Sequence, residues 1–194
     1  MKFLTLPILA LVSLANACAA PEAKDSPFAS VYAAIFDKSA LGAVVLWSLD
    51  GYVTVGVALA NLPSRGGPFT YRIHDKKQPL GGCDNNSKPF NPYCGTFDGQ
   101  TPAEKEVGDL SGKHGVITGT ATAQSYDDDF LSLNTRNRAF VGDLAIVIEN
   151  LRGQRVACAN LEDLTAPLTG EKAKAAEPAT KLPNLPKHVA DLLV

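Results

Sequence analysis

Residues 43–59, AVVLWSLDGYVTVGVAL, decide the fold of this chain. Two apolar runs, residues 43–47 and 52–59, flank the dipeptide Asp50-Gly51. An Asp-Gly pair tolerates the positive φ angles of a tight hairpin turn and is the strongest short-range signal for one. We therefore expect an antiparallel β-hairpin here.

Further strand signals recur at short intervals along the chain. Residues 116–122, VITGTAT, alternate with period two, and a polar turn ending in Gly153 separates two more apolar runs. The predicted strands are residues 43–47, 52–59, 69–74, 116–122, 144–148 and 155–159. Short strands with glycine-marked turns indicate an all-β sandwich or barrel. Only residues 27–36 carry a pattern that suggests a helix.

The composition supports one packed domain. The chain has 194 residues, of which 45% are hydrophobic and 20% charged, and domains cluster near ~100–150 residues. Eighteen basic and 20 acidic residues give a net charge of -2. Nucleic-acid-binding domains normally carry a basic excess, so we expect no nucleic-acid partner.

Both ends of the chain differ from the middle. Residues 1–17 combine Lys2, an apolar run and small residues in the order of a secretory signal peptide. Residues 169–194 begin with a stretch rich in Ala, Lys, Glu and Pro and are predicted to be a flexible C-terminal tail. The folded domain is therefore predicted at residues 18–168. No other segment is long and apolar enough to span a membrane, so we expect a secreted protein, extracellular or at the cell surface.

A long loop is predicted at residues 75–108. It is rich in Gly, Pro and Asn and contains Cys83 and Cys94; the other cysteines are Cys18 and Cys158. Loops of this length are usually functional or disordered, and cysteines in a secreted chain favour disulfides. Four cysteines allow three pairings, among which spacing alone does not choose. Asn85 begins a glycosylation sequon in the same loop.

Several motifs occur in the order found in one known family. They are GPFTYRIH at 67–74, GC at 82–83, PFNP at 89–92, EVGDLSGKHG at 106–115, AIVIE at 145–149 and GQRVAC at 153–158. The chain resembles the copper/zinc superoxide dismutases, and within them the secreted, copper-only branch of fungal cell surfaces. The match covers about residues 43–161, the core of the predicted domain. It implies an immunoglobulin-like Greek-key β-sandwich or barrel.

The same resemblance implies a disulfide and a metal site. It pairs Cys83 with Cys158, which leaves Cys18 and Cys94 as a possible second disulfide. Family members hold copper with four histidines, and the corresponding positions here are Arg72, His74, Pro89 and Glu149. Only one histidine is retained, and an arginine does not ligate copper. We therefore expect neither copper nor zinc as a cofactor.

The remaining family positions have structural interpretations. We expect Arg72 and Glu149 to form a bidentate ion pair, because an unpaired buried charge is costly. Glu106 and Asp109 match the acidic pair that the copper-only branch has in place of zinc, and they would pin the loop. Arg155 matches the arginine that guides superoxide to copper. We interpret its catalytic role here as vestigial and expect it to hydrogen-bond the backbone of the disulfide loop, as the family arginine does.

Two further polar features carry little functional signal. The run Asp127-Asp128-Asp129 is predicted to be a solvated turn, since it lacks the ligand spacing of an EF-hand loop. His114 is predicted to lie on the surface.

These observations favour a catalytically inactive, secreted superoxide dismutase-like protein. It would bind an unknown extracellular or cell-surface partner through the former active-site face or the loop 75–108. One alternative is a divergent copper-only superoxide dismutase that holds copper with His74 and unexpected ligands such as His114, Glu106 or Glu149. Another is a copper- or haem-binding protein, in which His74 and His114 would hold haem. A purely structural role without a small ligand is also compatible with the sequence.

Overall fold

A computed structural model describes residues 18–79 and 81–165. The predicted signal peptide (residues 1–17) and the predicted tail (residues 169–194) lie outside the described residues. The strands are β1 Ser30–Asp37, β2 Leu41–Ser48, β3 Val53–Ala60, β4 Thr70–His74, β5 Thr122–Asp128, β6 Ala145–Glu149 and β7 Arg155–Asp163. A short 3-10 helix, Pro102–Glu104, and one α-helix, α1 Leu110–His114, interrupt the strands. No helix in the described part of the chain is long and apolar enough to cross a membrane.

The strands form one curled antiparallel sheet in the order β4-β6-β7-β1-β2-β3-β5. The predicted hairpin is present, because β2 and β3 pair from Leu41↔Ala60 to Trp47↔Thr54. The edge strands β4 and β5 approach each other, and Tyr71 Oη lies 3.0 Å from Tyr126 Oη. This contact helps to close the sheet into the barrel that the sequence predicted.

The helical interpretation of residues 27–36 is wrong. Residues 30–37 pair with β2 along their full length, from Ser30↔Ser48 to Asp37↔Leu41. Tyr32, Ala34 and Phe36 alternate into the core, which is the period of a strand. The alanines of this segment concealed the pattern, since alanine favours helices in isolation.

The strand predicted at 116–122 is displaced. Before Thr122, only Ile117 of that stretch makes a β-bridge, to Phe69, and the strand itself is β5, Thr122–Asp128. Asp127 and Asp128 therefore belong to a strand rather than to a solvated turn. Asp127 is exposed on the outer face, whereas Asp128 is buried.

The core lies inside the curled sheet. Its largest fully buried side chains include Tyr71, Phe69, Leu46 and Ile73. Four outward-facing residues form a second, smaller apolar cluster, against which Val31 and Trp47 pack; they are Ala33, Ala43, Val45 and Ala58. The sheet thus buries apolar side chains on both faces of β1–β3.

Two disulfides attach the long loop to the barrel. Cys83 bonds Cys158 on β7, and Cys94 bonds Cys18 at the beginning of the described chain. The described residues of the loop between His74 and Pro102 form no strand. Its course is therefore set by these two covalent attachments and by the side-chain contacts described below.

Candidate functional site

The positions that the resemblance assigns to copper lie along β4, at the end of β6 and on the adjoining loop. Arg72 and His74 are two residues apart on β4, so their side chains leave the same face of the strand. Glu149 is the last residue of β6, where the pairing with β7 shifts register. Pro89 lies on the loop and forms a β-bridge with His74. The fold thus gathers all four positions in one region.

The Arg72 guanidinium is shared between two carboxylates. Its Nε lies 2.9 Å from Asp109 Oδ1, and its Nη1 lies 3.3 Å from Glu149 Oε2. The structure therefore brings Arg72 and Glu149 together, as the sequence predicted. The contact is not the bidentate one expected, because Asp109 takes the shorter bond.

Asp109 has a second structural task. It precedes α1, and its Oδ1 also accepts a hydrogen bond from the Gly112 backbone N–H at 3.0 Å. The helix is held against β4 by Ser111, whose hydroxyl accepts a hydrogen bond from the Tyr71 backbone N–H at 2.6 Å. Asp109 Oδ2 is buried and makes no hydrogen bond within the part of the chain that the structure describes. The carboxylate thus connects α1 to the guanidinium on β4.

Two loop residues flank this cluster. The Phe97 ring lies over the Arg72 guanidinium, with its centroid 5.4 Å from Cζ, although Phe97 is 69% exposed. Burial, and next the neighbouring Asp109 charge, raise the pKa of Glu106. Glu106 therefore takes a proton more readily than an ordinary exposed glutamate does.

Arg155 extends the ion pairs to the disulfide loop. Its Nε lies 3.7 Å from Glu149 Oε1, so Glu149 stands between two guanidinium groups. On the other side, Arg155 Nη1 donates to the Ser87 hydroxyl at 3.0 Å, and Nη2 donates to the Ser87 carbonyl at 2.5 Å. This geometry supports the structural interpretation of Arg155, which anchors the loop.

His74 is buried beside the same serine. The imidazole is 1% exposed, and its Nδ1 lies 3.0 Å from Ser87 Oγ and 3.5 Å from Arg155 Nη2. Both neighbours can donate a hydrogen to Nδ1, which favours the neutral tautomer with hydrogen on Nε2. Nε2 has no hydrogen-bond partner among residues 18–79 and 81–165. Burial, and next the Arg155 charge, lower the pKa of His74 to about 4.

These residues offer few metal-ligating atoms. The Pro89 side chain has no donor atom, the guanidinium of Arg72 has only N–H groups, and Glu149 already faces two cations. At these positions, His74 Nε2 is the imidazole nitrogen that no other described residue engages. In residues 18–79 and 81–165, no three His, Cys, Asp or Glu side chains are grouped so that they could hold a metal ion.

A second polar cluster was missed by the sequence analysis. Lys113 Nζ lies 2.7 Å from Asp128 Oδ2, and both side chains are fully buried. His114 Nε2 lies 2.8 Å from the same oxygen, and its ring stacks on Tyr126 at 3.8 Å between centroids. Burial alone would raise the pKa of Asp128, but Lys113 and His114 overcome this effect and hold it below the usual range.

This cluster corrects the interpretation of His114. The side chain is 19% exposed and hydrogen-bonded, so it is not a free surface histidine. His74 and His114 take part in separate hydrogen-bond clusters, one around Ser87 and the other around Asp128. The nearness of Lys113 and His114 to a buried acid could be inferred only once Asp128 was placed on β5.

The comparisons with known proteins agree with the resemblance seen in the sequence. A Candida albicans protein, cell surface Cu-only superoxide dismutase 5, is 40% identical over 167 residues, which cover 83% of this chain and 72% of that protein. Another from the same organism, cell surface superoxide dismutase 4 (Cu-Zn), is 37% identical over 170 residues, covering 84% and 72% of the two chains. A scan against protein-family models finds no match.

A solved structure has the same fold. The Cu(II) structure of Candida albicans superoxide dismutase 5 superposes with a TM-score of 0.68 and 39% identity, covering 75% of this chain and 97% of that one. The curled sheet with its disulfide-tied loop thus defines a superoxide dismutase-like β-barrel. The chain belongs to the superoxide dismutase family, among the fungal cell-surface Cu-only and Cu-Zn members.

Proposed function

We propose that this chain is a secreted superoxide dismutase-like protein that does not dismutate superoxide and acts as a binding protein, outside the cell or at its surface. The names of its relatives support the location, as does the predicted signal peptide at residues 1–17. The proposal concerns the site, where three of the four positions that the family uses for copper are not histidine.

The observation that carries the proposal is the ion pairing between the arginines and the carboxylates of the site. Arg72 and Arg155 face the carboxylates of Asp109 and Glu149. Each of these two carboxylates has a guanidinium partner, so their charges are compensated without a metal ion. A copper ion would have to compete with a permanent cation for the same carboxylates, with His74 as the remaining imidazole.

The former copper face supplies the candidate contact surface. Phe97 is largely exposed there and covers the Arg72 guanidinium. An exposed aromatic ring beside an arginine is typical of residues that anchor protein interfaces. The partner would therefore be an extracellular or cell-surface macromolecule rather than a small oxidant.

Copper loading tests the proposal. The purified protein is incubated with copper and freed of excess metal; its metal content is read by mass spectrometry, and superoxide consumption is assayed on the same sample. We expect no stoichiometric copper and no activity above a protein-free blank. Stoichiometric copper with superoxide consumption would overturn the proposal. Copper without activity would leave a copper-binding protein that uses His74 Nε2.

A matched variant guards against a misfolded sample. The triple substitution Arg72→His, Pro89→His and Glu149→His restores the residue types that the family uses. We expect this variant to take up copper under the same conditions. Uptake by the variant alone would show that the scaffold is competent and that the three residues exclude the metal.

A further inference from the structure

The tip of the disulfide loop carries the one N-glycosylation sequon of the chain, Asn85-Asn86-Ser87. The acceptor Asn85 is exposed, in the turn that follows Cys83. The third residue of the sequon, Ser87, is only 3% exposed. The two residues that define the sequon are therefore presented very differently by the folded loop.

Ser87 is buried because it holds the loop to the barrel. Its hydroxyl lies 3.1 Å from the Asp84 carbonyl, 3.1 Å from Gln78 Nε2 and 3.0 Å from both His74 Nδ1 and Arg155 Nη1. Its backbone carbonyl accepts a further bond from Arg155. An enzyme that must read this hydroxyl cannot reach it once the loop has docked.

We propose that Asn85 carries an N-linked oligosaccharide that is attached before the loop docks onto the barrel. The inference rests on the secretory route of the proposed function, because the transfer occurs in that compartment. The donor is a lipid diphosphate-linked oligosaccharide. A bond forms between Asn85 Nδ2 and the sugar C1, the bond between C1 and the phosphate oxygen breaks, and the amide proton leaves with the lipid diphosphate.

The order of events follows from the double use of Ser87. In the unfolded chain its hydroxyl is free for recognition by the transferase. In the folded chain the same hydroxyl joins His74, Gln78 and Arg155. Glycosylation and loop docking therefore compete for one atom. Both can occur only if Asn85 is modified first and the loop docks afterwards.

The site is tested by expression in a eukaryotic secretory host, once with the native N-terminal residues and once with a heterologous leader. Intact mass and peptide mapping are compared before and after enzymatic release of N-glycans, which converts Asn85 to aspartate. We expect loss of an oligosaccharide mass from the native chain and from Asn86→Gln, which keeps the sequon, and none from Asn85→Gln. The proposal would be overturned if the native sequence stayed unmodified with both its own N-terminal residues and the heterologous leader.

Comparing expression with the native N-terminal residues and with the heterologous leader distinguishes failure of this proposal from failure of the proposed function. Modification with the heterologous leader alone would leave the Asn85 site standing and contradict secretion by residues 1–17. Copper uptake by the protein would contradict the proposed function and leave the glycan result unchanged. Asn85→Gln retains Ser87 and all of its contacts, so we expect its thermal unfolding to match that of the unglycosylated native chain.

The order is tested with unglycosylated protein from bacteria. Folded, oxidised protein and the same protein reduced and unfolded are offered to purified oligosaccharyltransferase and lipid-linked donor, with an unrelated sequon peptide as the enzyme control. We expect a mass gain at Asn85 in the unfolded sample only. Equal modification of the folded protein would contradict the order, and an unmodified unfolded chain beside a modified peptide would contradict the site.

Discussion

At the scale of single residues, Arg72 is the group on which the charges of the site depend. Its guanidinium is bonded to Asp109, whose side chain is fully buried, and to Glu149. Arg72→Met would leave a buried carboxylate without its cation, and removing one partner of such a pair costs about 3–5 kcal/mol. We expect this loss in the free energy of unfolding, measured with urea at neutral pH.

Two double-mutant cycles show which carboxylate accounts for more of this loss in the free energy of unfolding. The cycle of Arg72→Met with Asp109→Asn should give a larger coupling energy than the cycle of Arg72→Met with Glu149→Gln, because the Asp109 contact is shorter and drier. A larger coupling to Glu149 would contradict the geometry.

His74 makes stability depend on pH. Its pKa is about 4 in the folded protein, below the ordinary value of 6.5. Between these values the unfolded chain binds more protons, so the free energy of unfolding falls as the pH drops from about 6.5 toward 4. His74→Gln should remove this part of the slope. An imidazole resonance that titrates near 4 and is lost in this variant would locate the group; a midpoint near the ordinary value would exclude it.

The sequence predicted part of this site because the motif order of a known family fixed the positions. Arg72 and Glu149 could be paired in advance, since an unpaired charge at a buried position is unfavourable. The larger role of Asp109 was not foreseen, because it depends on where α1 docks against β4. Ser87 was seen only as part of a sequon, and its contacts with His74 and Arg155 require the folded loop.

At the scale of elements, α1 and β5 are joined by a buried ion pair. Lys113 on α1 also donates to the Val107 carbonyl at 2.8 Å, and its ammonium faces Asp128 of β5. Lys113→Met alone should lower the free energy of unfolding by about 3–5 kcal/mol, because it leaves Asp128 buried and unpaired. The double variant Lys113→Met, Asp128→Asn should be more stable than the single variant, as measured by urea unfolding.

The same ion pair makes the stability of the contact between α1 and β5 depend on pH in acid. Because Lys113 and His114 hold the pKa of Asp128 below its usual range, its ionised form stabilises the fold above the unfolded pKa. That contribution is lost as the pH falls through the folded value. Equal acid sensitivity in the native chain and in the double variant would show that the pair does not link α1 to β5.

The elements that the sequence predicted well were those with unambiguous periodicity. The hairpin of β2 and β3 formed around Asp50-Gly51 because a turn signal and two apolar runs agree. By contrast, β1 is stabilised by its register with β2 along its whole length, a tertiary effect that overrides the helix preference of its alanines. The sequence placed β5 too early in the chain, at residues 116–122, for a similar reason. Its outer face is polar, and its acidic end is buried only because α1 supplies Lys113 and His114.

At the scale of the whole molecule, two disulfides tie a loop with little regular structure to a barrel. Each joins residues far apart in sequence, with separations of 76 for Cys18–Cys94 and 75 for Cys83–Cys158. Closing loops of this length reduces the entropy of the unfolded chain and contributes about 4–5 kcal/mol in the chain-entropy description. On this term alone, the two bonds should stabilise the protein nearly equally.

The folded state distinguishes them. Cys83–Cys158 fixes the part of the loop that carries Ser87, residues 83–87, which we call the strap. Ser87 contacts His74 and Arg155. Cys18–Cys94 instead fixes the stretch that leads to Phe97. Replacing either pair by serines should lower the melting temperature. Only loss of Cys83–Cys158 should raise the pKa of His74, because freeing the strap would admit water to the imidazole. If both variants kept the pKa of His74 unchanged, the burial of this residue would come from the barrel and not from the strap.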